Sequence, residues 1–230
     1  DNRTDVTYGY LSNPAVYSKT NNQENTYPFN TYTLPVSVVK SVTSTNGAAG
    51  TQTADYGYKD LRIHIAGGGV TGFDEIATTD RATGRKSTRR ITKWDEKHLV
   101  PLEIVTTDSV GEYTSSVVSN YTVSPVGNTY FAYESSNVIT DMDGHTAVTT
   151  NVYDTEMGVL LEQKVCNDGD RMYKKSTYST FQQKKGRWLP TNVRMEQKHS
   201  DDATPYNTWT HYLYDDIGNI LSSVERMRTK

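Results

Sequence analysis

Apolar and polar residues alternate along most of this chain. In residues 111–123, GEYTSSVVSNYTV, Tyr113, Val117, Tyr121 and Val123 recur at even spacing among hydroxyl side chains. A period of two places successive side chains on opposite faces of a β-strand. Residues 34–43, 84–94, 129–139, 186–197 and 206–214 follow similar patterns, rich in Val, Ile, Thr, Tyr and Trp. Such side chains fit a pleated, half-buried surface. Helical periodicity is nearly absent: the best stretch, DEKHLVPLE over 95–103, is short and interrupted by Pro101. The pattern predicts roughly a dozen strands, many longer than the usual five to six residues.

The punctuation between these runs is regular. Asp108–Gly111, Asp141–Gly144 and Asp215–Gly218 have the form D-x-x-G, and Asp80–Gly84 and Asp154–Gly158 contain one residue more. An Asp that opens a turn accepts hydrogen bonds from the turn's own backbone N–H groups, and the closing Gly takes positive φ without a steric penalty. Asn46-Gly47, Gly127-Asn128, Asn167-Asp168-Gly169 and Lys185-Gly186 mark further reversals. Nothing resembles the helical crossovers that join parallel strands. The expected fold is therefore all-β, an antiparallel meander of long hairpins forming a large twisted sheet. Residues 34–230 are expected to form a single domain. Residues 1–33, with the Asn-rich stretch 12–30, are expected to be a polar N-terminal segment or long loop.

Composition fits this picture. Only 34% of the 230 residues are hydrophobic, and the mean hydropathy is −0.70. The 17 Tyr, with many Val and Thr, argue against disorder, which is poor in such residues. The net charge of −3, from 24 basic and 27 acidic residues, gives no reason to expect a nucleic-acid partner. The densest basic run, Arg85, Lys86, Arg89 and Arg90, alternates with Ser87 and Thr88 as a solvated strand face does. A single cysteine, Cys166, rules out an internal disulfide and has no catalytic motif around it. No run approaches the ~20 apolar residues of a membrane-spanning helix. The sequence opens at Asp1 without Met, which suggests a processed or excised piece.

Motifs that carry chemistry fail on context. LRIHIAGGGVTGFDE, residues 61–75, places Gly67, Gly69 and Gly72 as G-x-G-x-x-G after a candidate strand. A dinucleotide site needs a helix to start at those glycines. The following FDEIATTDRATG is rich in poor helix formers, although Asp95 and Glu96 sit at the spacing of the ribose-binding acid. The glycines therefore read as a link between two strands. Ser37-Val-Val-Lys40 matches S-x-x-K but lies in a valine-rich strand. His64, His98, His145, His199 and His211 show no ligand spacing, and Asp141 and Asp143 do not complete a calcium loop. No cofactor or metal is expected. Trp94, Trp188 and Trp209 read as cross-strand packing, with a sugar-stacking platform as the alternative. A pair of catalytic carboxylates cannot be nominated from spacing alone.

Two segments resemble a known family. Tyr214-Asp215-Asp216-Ile217-Gly218-Asn219 reads Y-D-x-x-G-N, and Tyr153-Asp154 through Gly158 is a variant one residue longer. These resemble the YD repeats of the RHS family, which includes polymorphic bacterial toxins, B components of toxin complexes, and teneurins. The segment with Tyr56, Tyr58, Gly72, Phe73, Asp80, Thr83 and Gly84 is similar to the region upstream of the repeats in that family. The resemblance covers roughly residues 35 to 228. It implies hairpins joined into a spiralling sheet that walls a hollow shell around a toxic or unfolded cargo. The chain departs from the family in having few repeats and no D-P-x-G core terminus.

The resulting expectation is a non-catalytic structural section of an RHS/YD-repeat protein, exported or on a bacterial cell surface. Its partners would be the remaining repeats of the parent chain. Tyr153, Asp154, Gly158, Tyr214, Asp215, Gly218, Asn219, Gly72 and Phe73 would be structural motif residues. The alternative, from another class, is an adhesive β module that binds glycans or a host surface.

Overall fold

The computed structural model describes residues 3–20, 27–45, 50–167, 171–200 and 202–228. Among these residues every regular element is a strand. The chain divides into two compact units, residues 1–118 and 119–230. In the first lie β1 (Thr4–Tyr10), β2 (Tyr17–Ser18), β3 (Phe29–Thr31), β4 (Ser37–Thr45), β5 (Thr51–His64), β6 (Gly69–Asp80), β7 (Lys86–Asp95) and β8 (Val100–Val110). β9 (Tyr113–Val126) runs across the division. In the second lie β10 (Thr129–Thr140), β11 (Thr146–Asp154), β12 (Val159–Asn167), β13 (Met172–Lys184), β14 (Arg187–Lys198), β15 (Tyr206–Tyr214) and β16 (Ile220–Arg228).

The fold is an antiparallel meander. Strand order follows chain order from β4 to β16, with β1 on the outer side of β4 and the short β2 and β3 attached to β5. The two-residue β2 is the exception in direction, running parallel to β5. Long alternating sequences give long strands: β5 and β9 have 14 residues each. Each strand predicted from alternation is present, with ends displaced by at most three residues.

Burial is concentrated in the first unit. Leu11 (1% exposed), Val16, Tyr17, Phe29, Leu61 and Ile91 are buried there. Leu11, Tyr17 and Leu61 form a cluster that Leu34, Val38, Tyr58 and Phe73 pack against. The N-terminal stretch expected to be a polar loop therefore contains three strands and supplies four of these six buried side chains. Its apolar residues, Leu11, Val16, Tyr17 and Phe29, are too widely spaced to register as a pattern. They reach the sheet through tight turns, with Asn13 O accepting from the N–H groups of Val16 and Tyr17. In the second unit only Val159 is a buried hydrophobic residue among those described.

One expected turn is placed differently. Asp108 lies inside β8, where it pairs with Arg85 at 3.3 Å, and the reversal into β9 is made by Gly111 and Glu112. Here the strand continues through the Asp, and a two-residue reversal suffices. Lys185-Gly186 also forms a two-residue reversal, with positive φ at both residues. The expected reversals at Asn46-Gly47 and Asp168-Gly169 lie outside the described residues.

Candidate functional site

The YD motif residues form hairpin turns. Asp215 Oδ1 accepts from the N–H groups of Ile217 (2.9 Å) and Asn219 (2.8 Å), and Oδ2 accepts from the Asn219 side-chain amide at 2.9 Å. Asp215 N–H donates to Asn219 O, and Gly218 N–H donates to Asp215 O. These bonds, the Asn219 N–H first among them, hold the Asp215 carboxyl below the ordinary carboxylate value. Asp141 repeats the arrangement: its Oδ1 accepts from Asp143 and His145 N–H, and Gly144 N–H donates to its carbonyl. The longer turns work similarly, with Asp154 Oδ1 accepting from Glu156 and Met157, and Asp80 Oδ1 from Ala82 and Thr83.

The motif tyrosines mark a second device. The strand register shifts between Val152 and Tyr153, and again between Leu213 and Tyr214. Each YD motif thus couples a bulge to an Asp-capped turn. Tyr153 lies 4.8 Å from Tyr133 and 5.7 Å from Phe131, centroid to centroid. Tyr214 donates its hydroxyl to Pro190 O at 2.8 Å, and burial raises its pKa. Gly218 has φ 93°, and a Cβ there would stand 3.1 Å from Leu189 Cδ1. Gly158 has φ 67°.

The glycine-rich stretch is a strand-to-strand link. Residues 65–68 turn, and β6 begins at Gly69, so the helix that a nucleotide site needs does not form. Gly72 lies inside β6 opposite Arg62, where the register shifts, and Phe73 packs 4.8 Å from Tyr58. DEKHLVPLE is not helical either. Asp95 Oδ1 accepts from His98 N–H, and Leu99 takes the left-handed position, φ 57°, that Gly fills in the other turns. The missing Gly hid this Asp-capped turn from sequence reasoning.

A cleft of about 320 Å³ lies in the first unit, between the N-terminal arm and strands β5 to β7. Asp60 organises it. This residue is 8% exposed and sits in mid-strand at φ 51°. The left-handed backbone shifts the alternation of β5. Tyr58 and Leu61, three apart, share the core, while Lys59 and Arg62, also three apart, share the cleft. The Asp60 carboxylate accepts from Thr20 N–H (2.7 Å) and Thr20 Oγ1 (2.6 Å), which fixes the arm to the sheet.

Across the cleft, Asp74 accepts two bonds of 2.9 Å from Arg62 and a third from Trp94 Nε1 at 3.2 Å. The Arg62 guanidinium lies 5.1 Å from the Phe29 ring centroid and 5.4 Å from that of Trp94. Arg90 pairs more loosely with Glu75, at 3.6 Å. The only hint of this cleft in the sequence is the adjacent charged pair Lys59-Asp60 in an otherwise regular strand.

Ser37 and Lys40 lie in β4. No group of three or more His, Cys, Asp or Glu among the described residues is arranged to hold a metal ion. Cys166 sits in β12 opposite Val148 and Tyr173. In the basic run, Arg85 pairs with Asp108 at 3.3 Å and Arg90 only loosely with Glu75. Trp94 and Trp209 each carry an arginine against the ring, Arg62 and Arg194 respectively. No helix among the described residues is long and apolar enough to cross a membrane. The chain matches no family model, no curated protein and no solved structure in the three comparisons made.

Proposed function

We propose that this chain is a scaffold: a non-catalytic section of wall in a shell of the RHS/YD-repeat kind, exported or displayed on a bacterial surface. The observation that carries the reading is the repeated reversal. Four turns, at Asp80, Asp141, Asp154 and Asp215, each use one carboxylate oxygen to accept two backbone N–H groups. A wall built by hairpin repetition needs such turns because each must stop one strand and start the next in register without help from a deep core. The serial strand order supports the same reading, since hairpins added in series extend such a sheet strand by strand. The wall encloses a toxic or unfolded cargo, and the remaining repeats of the parent chain complete it.

Limited proteolysis of the natural protein that carries this chain tests the proposal. The cargo resists digestion while the wall is folded and is cut once the wall is unfolded by denaturant. Cargo that is digested as fast inside the native protein as in isolation refutes it.

A further inference from the structure

We infer that the cleft beneath the N-terminal arm binds a neutral saccharide of one or two rings. The inference goes beyond the scaffold reading and does not depend on it. Three features carry it.

The first is construction. Lys59, Asp60 and Arg62 of β5 all line the cleft, and Asp60 there takes a left-handed conformation. A buried carboxylate in a sparsely populated backbone conformation persists only where its surroundings impose it, and such residues cluster at ligand clamps. Here Thr20 from the arm supplies the constraint, so the wall facing the sheet is held in place before any ligand arrives.

The second is balance. The cleft presents three cationic side chains, Lys59, Arg62 and Arg90, and three anionic ones, Asp60, Asp74 and Glu75. A net-neutral cleft offers no reward to an ion of either sign. It does offer donors and acceptors side by side, which suits a hydroxyl, able to donate to a carboxylate and accept from a cation at once. Asp74 is already held by Arg62 and Trp94. That preorganisation lowers the ordering cost of binding.

The third is size and access. A volume of about 320 Å³ is at the small end of ligand pockets, which limits the ligand to a short saccharide. Arg90, with 56% of its side chain exposed, stands at the accessible side, and its 3.6 Å separation from Glu75 leaves both able to turn to a ligand.

Isothermal titration of the whole chain with glucose, galactose, N-acetylglucosamine, maltose, cellobiose and lactose, backed by an array of immobilised neutral glycans, tests this. At least one neutral saccharide binds with micromolar to millimolar affinity. Lys59→Ala and Arg90→Ala each weaken it about tenfold or more, as loss of a charged hydrogen-bond partner does, with melting temperature unchanged. Arg226→Ala, in β16 of the second unit, leaves it intact. Absence of binding across the titrations and the array overturns the inference. So does binding that survives both cleft substitutions, or a cleft that takes free amino acids or inorganic phosphate in place of sugars. None of these outcomes bears on cargo protection, which tests the scaffold separately.

Discussion

At the scale of single residues, the motif positions act through backbone geometry. Gly218 combines φ 93° with a neighbour 3.1 Å from where a Cβ would stand. Gly218→Val should therefore destabilise the protein by about 1–3 kcal/mol, because a β-branched residue is strained at positive φ. A lowered melting temperature checks this; an unchanged one contradicts the turn assignment. Asp215 makes a pH prediction. Its carboxyl is held below 3.8 in the folded chain, chiefly by the Asn219 N–H. A depressed carboxyl stabilises the fold above its unfolded value, and that contribution is lost as pH falls through the folded value. Below pH 3.8 the wild-type melting temperature should thus fall more steeply than that of Asp215→Asn. Parallel curves would show that the cap is not linked to folding.

These residues were readable because Asp and Gly each perform one local task whose partners lie within four positions. The turn at Asp95 was not readable, because Leu99 does the work of Gly at φ 57°. Asp60 was hidden for a related reason. A left-handed residue in mid-strand has no sequence signature, and its partner Thr20 is 40 positions away.

At the scale of elements, alternation identified the strands, since period two survives even where neither face is deeply buried. It missed the N-terminal arm. There β1 is almost wholly exposed, and the buried apolar residues lie in turns and in strands of two to three residues, too short to show any period. The arm nevertheless contributes Leu11, the most buried large side chain described. Leu11→Ala should cost about 2–5 kcal/mol, as other buried Leu truncations do. Ile139→Ala, at a position 43% exposed, should cost under about 1 kcal/mol. Denaturant titration of the two variants measures the contrast. Equal costs would mean that the arm is not the core-forming element.

At the scale of the whole molecule, the meander follows from the turns: hairpins in series leave each strand beside the next. Chain order therefore predicts sheet order from β4 onward. The attachment of β1 to β4, and of β2 and β3 to β5, depends on long-range contacts that no local signal encodes. The same is true of the cleft, whose walls come from the arm and from three successive strands of the first unit. Strands paired in chain order, with the buried hydrophobics concentrated in one unit, suit the proposed wall. Electron microscopy of the natural protein that carries this chain tests that claim most directly. The account predicts a hollow particle with residues 34–230 traceable in its wall as consecutive hairpins. A solid particle, or one with this segment projecting free of any enclosing wall, would contradict it.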